Sequence, residues 1–307
     1  MILELAGGGY RVRLDPAHGG AMLSADWMSP DGGYLPLLLP LDDAAPGFKA
    51  GCFPMVPFAN RIADGRFSFG GVRYAVPVNH PDEGMAVHGF ARDNPWSAIS
   101  GTEAGATLEQ HFAQASIPWR YAARQDIAVS ADGIAVTLSV RNTGAAAMPF
   151  GIGLHPWFVK TPRARLSFRS DGTFALDRRR LPVEPLHAVP GFNPANPQAL
   201  GDMPRFDGCF AGWSPRRATL VWPERKAAMT IAADGALRCL HVFVPDDRDV
   251  VCAEPVSHVP DAVNRPGLSA YGGMNVLQPG ETLSGSMKLQ AMSYPPARGR
   301  DDDPQDV

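Results

Sequence analysis

Apolar and polar residues alternate with a period of two along most of the chain, which is typical of half-buried β-strands. Sequences that favour turns, such as Asp-Gly, Asn-Thr-Gly and Gly-Gly, separate the alternating stretches. No long amphipathic helical pattern is present. The pattern predicts strands at residues 10–14, 21–27, 34–39, 66–69, 72–76, 107–115, 121–130, 134–142, 148–155, 165–170, 173–177, 218–222, 227–233, 237–244, 250–253 and 284–293.

Three stretches do not follow the alternation, and we expect them to be loops. Residues 40–60 are rich in Pro, Gly and Phe and predict an ordered irregular loop. Residues 79–94 are polar, and residues 178–216 contain seven prolines, which predicts a long loop of the kind that usually serves a site. Pro36 favours an edge position for its strand because proline cannot donate a ladder hydrogen bond.

The predicted elements indicate an all-β protein. At least fifteen short strands without helices imply two large antiparallel sheets stacked as one β-sandwich. No shift in composition suggests a domain boundary, so we expect a single domain over residues 1–293. The proline-rich, charged segment at residues 294–307 is expected to be a disordered tail.

Composition narrows the function classes. Of 307 residues, 45% are hydrophobic and 19% are charged, which suits a globular protein with a large core. The net charge is −3 and the strongest basic cluster is Arg178-Arg179-Arg180, so we expect no nucleic-acid partner. No stretch approaches the ~20 apolar residues of a membrane helix. The first residues lack the features of a signal peptide, so a cytoplasmic location is expected.

The four cysteines indicate a reducing compartment. None has CxxC spacing, and most lie in apolar surroundings, which predicts buried free thiols rather than a disulfide framework or a structural zinc site. They are Cys52, Cys209, Cys239 and Cys252.

The sequence FGIGLHPWF at residues 150–158 is the strongest candidate for chemistry. Gly153 allows a bulky group to approach the backbone. Pro156 holds His155 extended and predicts that the strand ends there. An imidazole that titrates near neutral pH, beside the flat face of Trp157, suits a sugar with hydroxyls at its edge and C–H groups on its faces. A packed or capping histidine is the alternative.

The sequence VVCAEP at residues 250–255 mirrors that arrangement, because Glu254 ends an apolar run and precedes a proline. Charged residues seldom occupy such a position unless they are paired or used. Desolvation raises the pKa of a carboxyl group, which makes it a better base near pH 7. Glu254 and His155 are therefore a candidate acid–base pair, and a salt bridge from Glu254 to an arginine such as Arg61 or Arg265 is the alternative.

Two further residues are candidates for binding. Arg61 follows an apolar, proline-rich segment, where its guanidinium either donates to sugar hydroxyls or a carboxylate or simply extends to solvent. His88 closes a polar loop, where backbone groups are the alternative partners. The spacing of His88, His155 and Glu254 does not favour a metal site, so we expect no metal and no cofactor.

The chain resembles the aldose 1-epimerases (galactose mutarotases) over about residues 10–292. Each motif is weak alone, but their shared order is specific. The motifs are Asn60-Arg61-Ile62 with Gly65, Phe67, Gly71 and Tyr74, then His88-Gly89, His155-Pro156-Trp157-Phe158, Cys252-Ala253-Glu254-Pro255 and Leu277-Gln278-Pro279-Gly280-Glu281.

The resemblance implies a large β-sandwich whose concave face binds a free sugar and interconverts its α and β anomers without a cofactor or metal. It implies that Glu254 is the base that takes the proton of the anomeric hydroxyl. His155 is implied to be the acid that protonates the ring oxygen, on the opposite side of the hemiacetal. His88 and Arg61 are implied to bind the sugar.

The resemblance also implies a sugar-binding aspartate, and Asp207 has the matching place in order, although Asp207-Gly208 is equally a turn signal. The residue after His-Pro is commonly a tyrosine in the family, whereas this chain has Trp157. That departure leaves the choice of sugar open.

Two alternatives to a mutarotase for a neutral aldose remain. One is a related enzyme for a phosphorylated or acidic sugar, with a cationic pocket supplied by residues 178–180 or 216–217. The other is a carbohydrate-binding β-sandwich without catalysis. In each case the partner is a small-molecule sugar, and we expect a monomer or a homodimer.

Overall fold

The computed structural model describes residues 1–41 and 50–294. Within these ranges the chain forms 25 β-strands, six 3-10 helices and one short α-helix, α1 (Ser269–Gly272). The 3-10 helices are Ala91–Asp93, Pro190–Phe192, Leu200–Asp202, Pro223–Arg225, Ala262–Asn264 and Pro266–Leu268. The strands are β1 (Leu3–Gly7), β2 (Tyr10–Asp15), β3 (Ala21–Met28), β4 (Tyr34–Pro36), β5 (Cys52–Met55), β6 (Arg61–Ala63), β7 (Arg66–Phe69), β8 (Val72–Ala75), β9 (Met85–Val87), β10 (Ser97–Thr102), β11 (Gly105–Ala113), β12 (Arg120–Ser130), β13 (Gly133–Asn142), β14 (Met148–Phe150), β15 (Gly153–Val159), β16 (Arg165–Phe168), β17 (Gly172–Leu176), β18 (Pro182–His187), β19 (Phe206–Ala211), β20 (Arg217–Trp222), β21 (Ala227–Gly235), β22 (Cys239–Val244), β23 (Val250–Val256), β24 (Asn275–Leu277) and β25 (Thr282–Ser293).

Two large antiparallel sheets contain most of these strands. The eleven-stranded sheet has the order β1-β2-β3-β5-β15-β23-β22-β19-β17-β18, with β4 paired to β3 at its side. The eight-stranded sheet has the order β10-β11-β12-β13-β25-β21-β20-β16. The predicted all-β fold, a large antiparallel β-sandwich, is confirmed.

The main core lies between the two sheets. Strand β12 alternates buried and exposed residues along its length, as expected for a sheet with one face on the core and one in water. Polar groups at this core are paired. The hydroxyl of Tyr10 accepts the backbone N–H of Ala291 at 2.8 Å, and Nε1 of Trp222 donates to the carbonyl of Val159 at 2.7 Å.

The central strands of the larger sheet are buried on both faces, and this positions the candidate site. Every residue of β23 is buried, as are the first six residues of β15. Leu154 and Ala253 pack into the core between the sheets. Because neighbours along a strand point to opposite faces, His155 and Glu254 lie on the other face of the sheet.

The prediction that proline ends these two strands is wrong. Strand β15 continues past Pro156 to Val159, and β23 continues past Pro255 to Val256. Each proline still lies opposite a residue of its other neighbouring strand: Pro156 pairs with β5, and Pro255 pairs with β22. Between β15 and β23, however, paired residues occur only on either side of the two prolines. The missing N–H groups therefore interrupt the ladder at the position of His155 and Glu254.

The predicted loops contain strands. The stretch 40–60 includes β5, a fully buried strand with no alternation, and the part of the prediction at residues 42–49 lies outside the described residues. Likewise, 79–94 includes β9, and 178–216 includes the proline-bearing edge strand β18 and the apolar strand β19. Proline and loss of alternation concealed these strands because tertiary pairing outweighs local propensity.

Several other predictions are confirmed. Strands β7 and β8 form a hairpin whose turn residues, Gly70 and Gly71, both have positive φ, as a primed turn requires. Pro36 lies in β4, which pairs only with β3. The four cysteines are buried and free.

The predictions of no membrane helix and of a disordered tail are tested only for the described residues. Among the described residues, none of the helices has the length and apolar character needed to cross a bilayer. The predicted disordered tail lies outside the described residues except for Tyr294, whose backbone N–H donates to the carbonyl of Lys226 at 2.8 Å. A single domain over 1–293 stays a prediction.

Gly153 lies where other side chains approach the β15 backbone, as the sequence indicated. A Cβ atom there would be 2.7 Å from Cε of Met55 and 2.9 Å from Cγ1 of Val256. We expect Gly153→Ala to lower the free energy of unfolding by about 1–3 kcal/mol through overpacking, measured by chemical denaturation. Gly101→Ala is the matched control, because nothing lies within 4 Å of its Cβ position. Equal stability of the two variants would contradict the close packing of β5, β15 and β23.

Candidate active site

One row of side chains crosses five adjacent strands of the larger sheet on the face away from the main core. Residues opposite each other in antiparallel strands project to the same face, so the register determines the members of the row. On both sides of the proline gap, the register sets His155 opposite Glu254. The row consists of Phe53 (β5), His155 (β15), Glu254 (β23), His241 (β22) and Cys209 (β19).

A second row lies two residues along the same strands. It consists of Trp157 (β15), Cys252 (β23), Phe243 (β22) and Asp207 (β19). Asp207 thus belongs to a strand, and the alternative interpretation of Asp207-Gly208 as a turn is wrong. The two rows together bring four of the six predicted site residues onto one surface.

Loops beside β5 supply the other two predicted residues. Strands β6 and β9 pair, so Arg61 and the residue after β9, His88, lie side by side over the first row. His88 has a left-handed backbone (φ 63°), and its Nδ1 accepts the backbone N–H of Asn60 at 3.2 Å. Its ring meets that of His155 edge-on, with centroids 5.0 Å apart.

The six predicted residues line one cavity of about 460 Å³. This volume lies in the ordinary range for small-molecule sites, ~300–1,000 Å³. The residues are Arg61, His88, His155, Trp157, Asp207 and Glu254. Phe53, Arg92, Arg205, His241 and Arg248 are among the other lining residues.

His155 and Glu254 form a close, buried pair at the floor of this cavity. Nε2 of His155 lies 3.3 Å from Oε1 of Glu254, and the two residues are 5% and 2% exposed. The sequence interpretation put acid and base on opposite sides of a hemiacetal, whereas the structure puts them side by side on adjacent strands. Nδ1 of His155 and Oε2 of Glu254 have no hydrogen-bond partner in the part of the chain that the structure describes.

The surroundings shift the pKa values of His155 and Glu254 in opposite directions. Burial raises the pKa of Glu254 to about 7, with His241 and Arg61 opposing the rise. Burial holds the pKa of His155 well below its usual value, and the charges of Arg92 and His241 lower it further. The pair can therefore hold a single proton near neutral pH. The two pKa shifts favour that proton on Glu254, and its transfer to His155 creates the form with an anionic Glu254 beside a cationic His155.

Asp207 is an anion held by several cations. Burial alone would raise its pKa, but a hydrogen bond from His241 and the charges of His241, Arg61 and Arg180 lower it far below the usual value. Oδ1 accepts from Nε2 of His241 at 2.8 Å, and Oδ2 accepts from Arg180 at 2.8 Å. A guanidinium nitrogen of Arg61 lies 3.5 Å from Oδ2.

Arg61 is fixed rather than extended into solvent. Its side chain is 13% exposed, and it donates to Glu83 at 3.0 Å and to Oδ1 of Asn60 at 3.2 Å, besides its contact with Asp207. The interpretation as a solvent-exposed arginine is therefore wrong, and so is a salt bridge from it to Glu254, whose ion-pair partner is His155.

Aromatic rings form a continuous shelf beside the acid–base pair. The ring of His155 stacks between Phe53 (centroids 4.6 Å apart) and Trp157 (5.1 Å, with planes 11° apart). Trp157 in turn contacts the ring of Phe243 edge-on at 6.3 Å. This shelf both holds the imidazole in one orientation and offers a flat apolar wall to a ligand.

Donor atoms of His155, Cys252 and Glu254 lie within 4.8 Å of one another, a spacing that a metal ion could bridge. Cys252 would have to lose its proton, but burial and the charge of Glu254 raise the pKa of this thiol well above its usual value. The thiol is fully buried between the neighbouring Trp157 and Phe243 of its row. A metal ion at this position would therefore have to displace the proton of a buried thiol whose pKa is raised.

Sequence reasoning missed His241 and Arg92. His241 lies within the predicted strand 237–244, at a position that alternation predicts to be buried. A buried histidine needs a hydrogen-bond partner, so this position could have been recognised as a candidate. Arg92 lies in the 3-10 helix Ala91–Asp93 with its guanidinium 5.3 Å from the Phe53 ring. No local pattern identifies it, since its position depends on how that helix meets β5.

The comparisons with known proteins agree with this geometry. The family model of aldose 1-epimerases matches residues 2–290. The chain belongs to the aldose 1-epimerase family. The uncharacterized protein YphB from Escherichia coli K12 is 30% identical to this chain over 291 residues, covering 91% of this chain and 95% of YphB.

Solved structures show the same aldose-epimerase fold. A protein proposed to be an aldose 1-epimerase from Escherichia coli K12 superposes with a TM-score of 0.84 at 28% identity, covering 96% of this chain and 99% of that one. A galactose mutarotase-like protein from Clostridium acetobutylicum superposes with a TM-score of 0.82 at 20% identity, covering 95% of each chain. The predicted family is confirmed over nearly the whole chain.

Proposed function

We propose that this protein interconverts the α and β anomers of an aldose by opening and reclosing the sugar ring, without a cofactor. The observation that carries the proposal is the buried His155–Glu254 contact of 3.3 Å at the floor of a sugar-sized cavity. Membership of the aldose 1-epimerase family supports sugar chemistry in general. The assignment of individual residues rests on the contacts described above.

In the proposed reaction, ionised Glu254 takes the proton of the anomeric hydroxyl while protonated His155 gives a proton to the ring oxygen. The C1–O bond of the ring breaks, C1 becomes a carbonyl, and the sugar opens. After rotation about the C1–C2 bond, the same transfers run in reverse: the ring oxygen attacks C1 and returns its proton to His155, while Glu254 reprotonates O1. No net proton is consumed.

The closeness of the pair suits this chemistry. The two oxygens that exchange protons are bonded to the same carbon, so an acid and a base that lie side by side can reach both. Each direct proton transfer contributes typically ~10²–10⁴-fold to a rate. Arg61, His88 and Asp207 surround the pair and are suited to bind sugar hydroxyls, and the Trp157 shelf suits a C–H face.

Anomer exchange measured by NMR or polarimetry across a panel of pure aldose anomers tests the proposal. We expect accelerated exchange for at least one sugar. Binding to some sugars without acceleration of any would favour the alternative of a carbohydrate-binding module. Binding alone does not require a matched acid and base, and their presence therefore argues for catalysis.

A second candidate is an anomerase for an anionic sugar, which the arginines at the cavity favour. Residues 178–180 and 216–217 are not among the residues that line this cavity, although Arg180 donates to its Asp207 at 2.8 Å. Instead, Arg92, Arg205 and Arg248 line the cavity together with Arg61. Comparing kcat/KM for a hexose, its 6-phosphate and the matching hexuronate at low and high salt separates the two candidates, because screening would weaken only the charged substrates.

The pH dependence follows from the single shared proton. Below the depressed pKa of His155, a second proton binds and removes the base; above about 7, the pKa of Glu254, the last proton leaves and removes the acid. We expect a bell-shaped profile of kcat/KM, with its alkaline limb near pH 7 and its acidic limb well below pH 6.5. A flat profile between about pH 5 and 9 would contradict two titrating groups.

A further inference from the structure

His241 is the most buried polar group next to the acid–base pair without a role in the proposed proton transfers. It lies on β22, directly between Cys209 on β19 and Glu254 on β23, and it is 4% exposed. Its Nε2 lies 2.8 Å from Oδ1 of Asp207. Asp207 is an anion and can only accept, so Nε2 carries a proton in this contact.

Among the described residues, no hydrogen bond joins the side chains of His241 and Glu254. Nδ1 of His241 and Oε2 of Glu254 are both buried and make no hydrogen bond to residues 1–41 or 50–294. The register nevertheless sets His241 opposite Glu254 on the adjacent strand, and Asp207 binds the other side of the ring. A charge on this ring would therefore act on the Glu254 carboxyl group through the low-dielectric interior.

We propose that His241, held as an imidazolium by Asp207, is a positioning residue that keeps the neighbouring Glu254 available as an anion. The effect of His241 on catalysis rests on the proposed function. Its charge and its effect on the pKa of Glu254 do not. Although burial alone would lower the pKa of His241, the charges of Glu254 and Asp207 raise it above the usual value. The titratable and charged groups around His241 and Glu254 are Asp207 and Cys209 on β19, Cys252 on β23, His155 on β15, Arg61 on β6, Arg180 before β18, Arg92 after β9 and His88.

The direction of the expected pKa shifts follows from the positive charge of His241. The positive charge of His241 lowers the pKa of Glu254 and also that of His155. Its removal should therefore move both limbs of the pH profile upward. A unit charge about 5 Å away, the spacing of opposite side chains on adjacent strands, corresponds at an effective dielectric constant of ~20 to a pKa shift of about two units.

His241→Gln tests the proposal, since the amide retains a donor for Asp207 but carries no charge. We expect the profile of kcat/KM to move up by about two pH units, with a larger change in kcat than in KM at pH 6 to 7. His258→Gln is the matched control for losing a buried histidine. His258 is neutral, with a pKa of about 4, and its nitrogens bond the backbone of Ala59 and Val259. This control should leave the profile unchanged.

NMR makes the test independent of catalysis and of the stability of the variant. In the wild-type protein, the ¹⁵N shifts of His241 should report two N–H groups at pH 7, and a neutral ring would overturn the proposal. The ¹³C titration of the Glu254 carboxyl should move up in His241→Gln, and an unchanged titration would also overturn it. Absence of anomer exchange in the wild type would instead refute the proposed function and leave these two measurements decisive for His241.

Discussion

Glu254→Gln is expected to lower kcat for anomer exchange by about 10³-fold, within the ~10²–10⁴-fold range of a general base. The amide has the shape of the carboxyl group and can still contact Nε2 of His155, 3.3 Å from Oε1 in the wild type. It cannot accept the anomeric proton. Since Arg61, His88 and Asp207 are unchanged, KM should change little, and the loss should appear almost entirely in kcat.

Folding controls make this result interpretable. Glu109→Gln removes a carboxylate from β11 in the other sheet, where Glu109 contacts Arg124 at the surface, and it should leave kcat unchanged. Calorimetry of the Glu254→Gln protein should show one cooperative unfolding transition above the assay temperature, so that the loss of kcat is not a loss of fold. Wild-type kcat in this variant would show that Glu254 is not the base.

The fold was predictable where the alternation of the chain is regular. Strands such as β12 and β13 have one face on the core and one in water, so the hydrophobic pattern describes them directly. Strand β5 was not predictable, because it is buried on both faces and contains Pro54. A strand of that kind has no period to detect, and only its pairing with β15 reveals it.

The candidate site was predictable as a set of residue types and not as an arrangement. The motifs around His155 and Glu254 identify two unusual polar residues in apolar strands, but their contact depends on a register that no local sequence encodes. The prolines that follow them were read as strand ends. In the structure they instead interrupt the ladder between β15 and β23, which leaves two side chains on intact strands beside an opening in the hydrogen bonds.

Residues that act through others were the hardest to predict. The proposed role of His241 depends on Asp207 and Glu254. These residues are 34 and 13 positions away in the chain and are its neighbours only across strands. Arg92 likewise affects His155 through space, by lowering the pKa of that imidazole. Such electrostatic relations depend on distance and burial, and neither is a property of a sequence window.

His155→Gln is the second variant with a large expected effect. Glutamine retains a donor but cannot give up a proton to the ring oxygen, so kcat should fall by about 10²–10³-fold. The variant also loses the stacking of the imidazole between Phe53 and Trp157, so its thermal unfolding temperature should fall modestly. Anomer-exchange NMR at saturating sugar measures the first effect, and calorimetry measures the second.

The double variant His155→Gln/Glu254→Gln decides whether the two residues act as one unit. In the proposed reaction, a proton leaves O1 while another reaches the ring oxygen, so losing either group already blocks this concerted path. We therefore expect the double variant to be no slower than the slower single variant, within about threefold. Losses that multiply would mean that each group contributes to a separate step. In that case the 3.3 Å contact between Nε2 and Oε1 would be an ion pair that organises the cavity, and the acid would have to be sought among the other groups that line it, first of all His88.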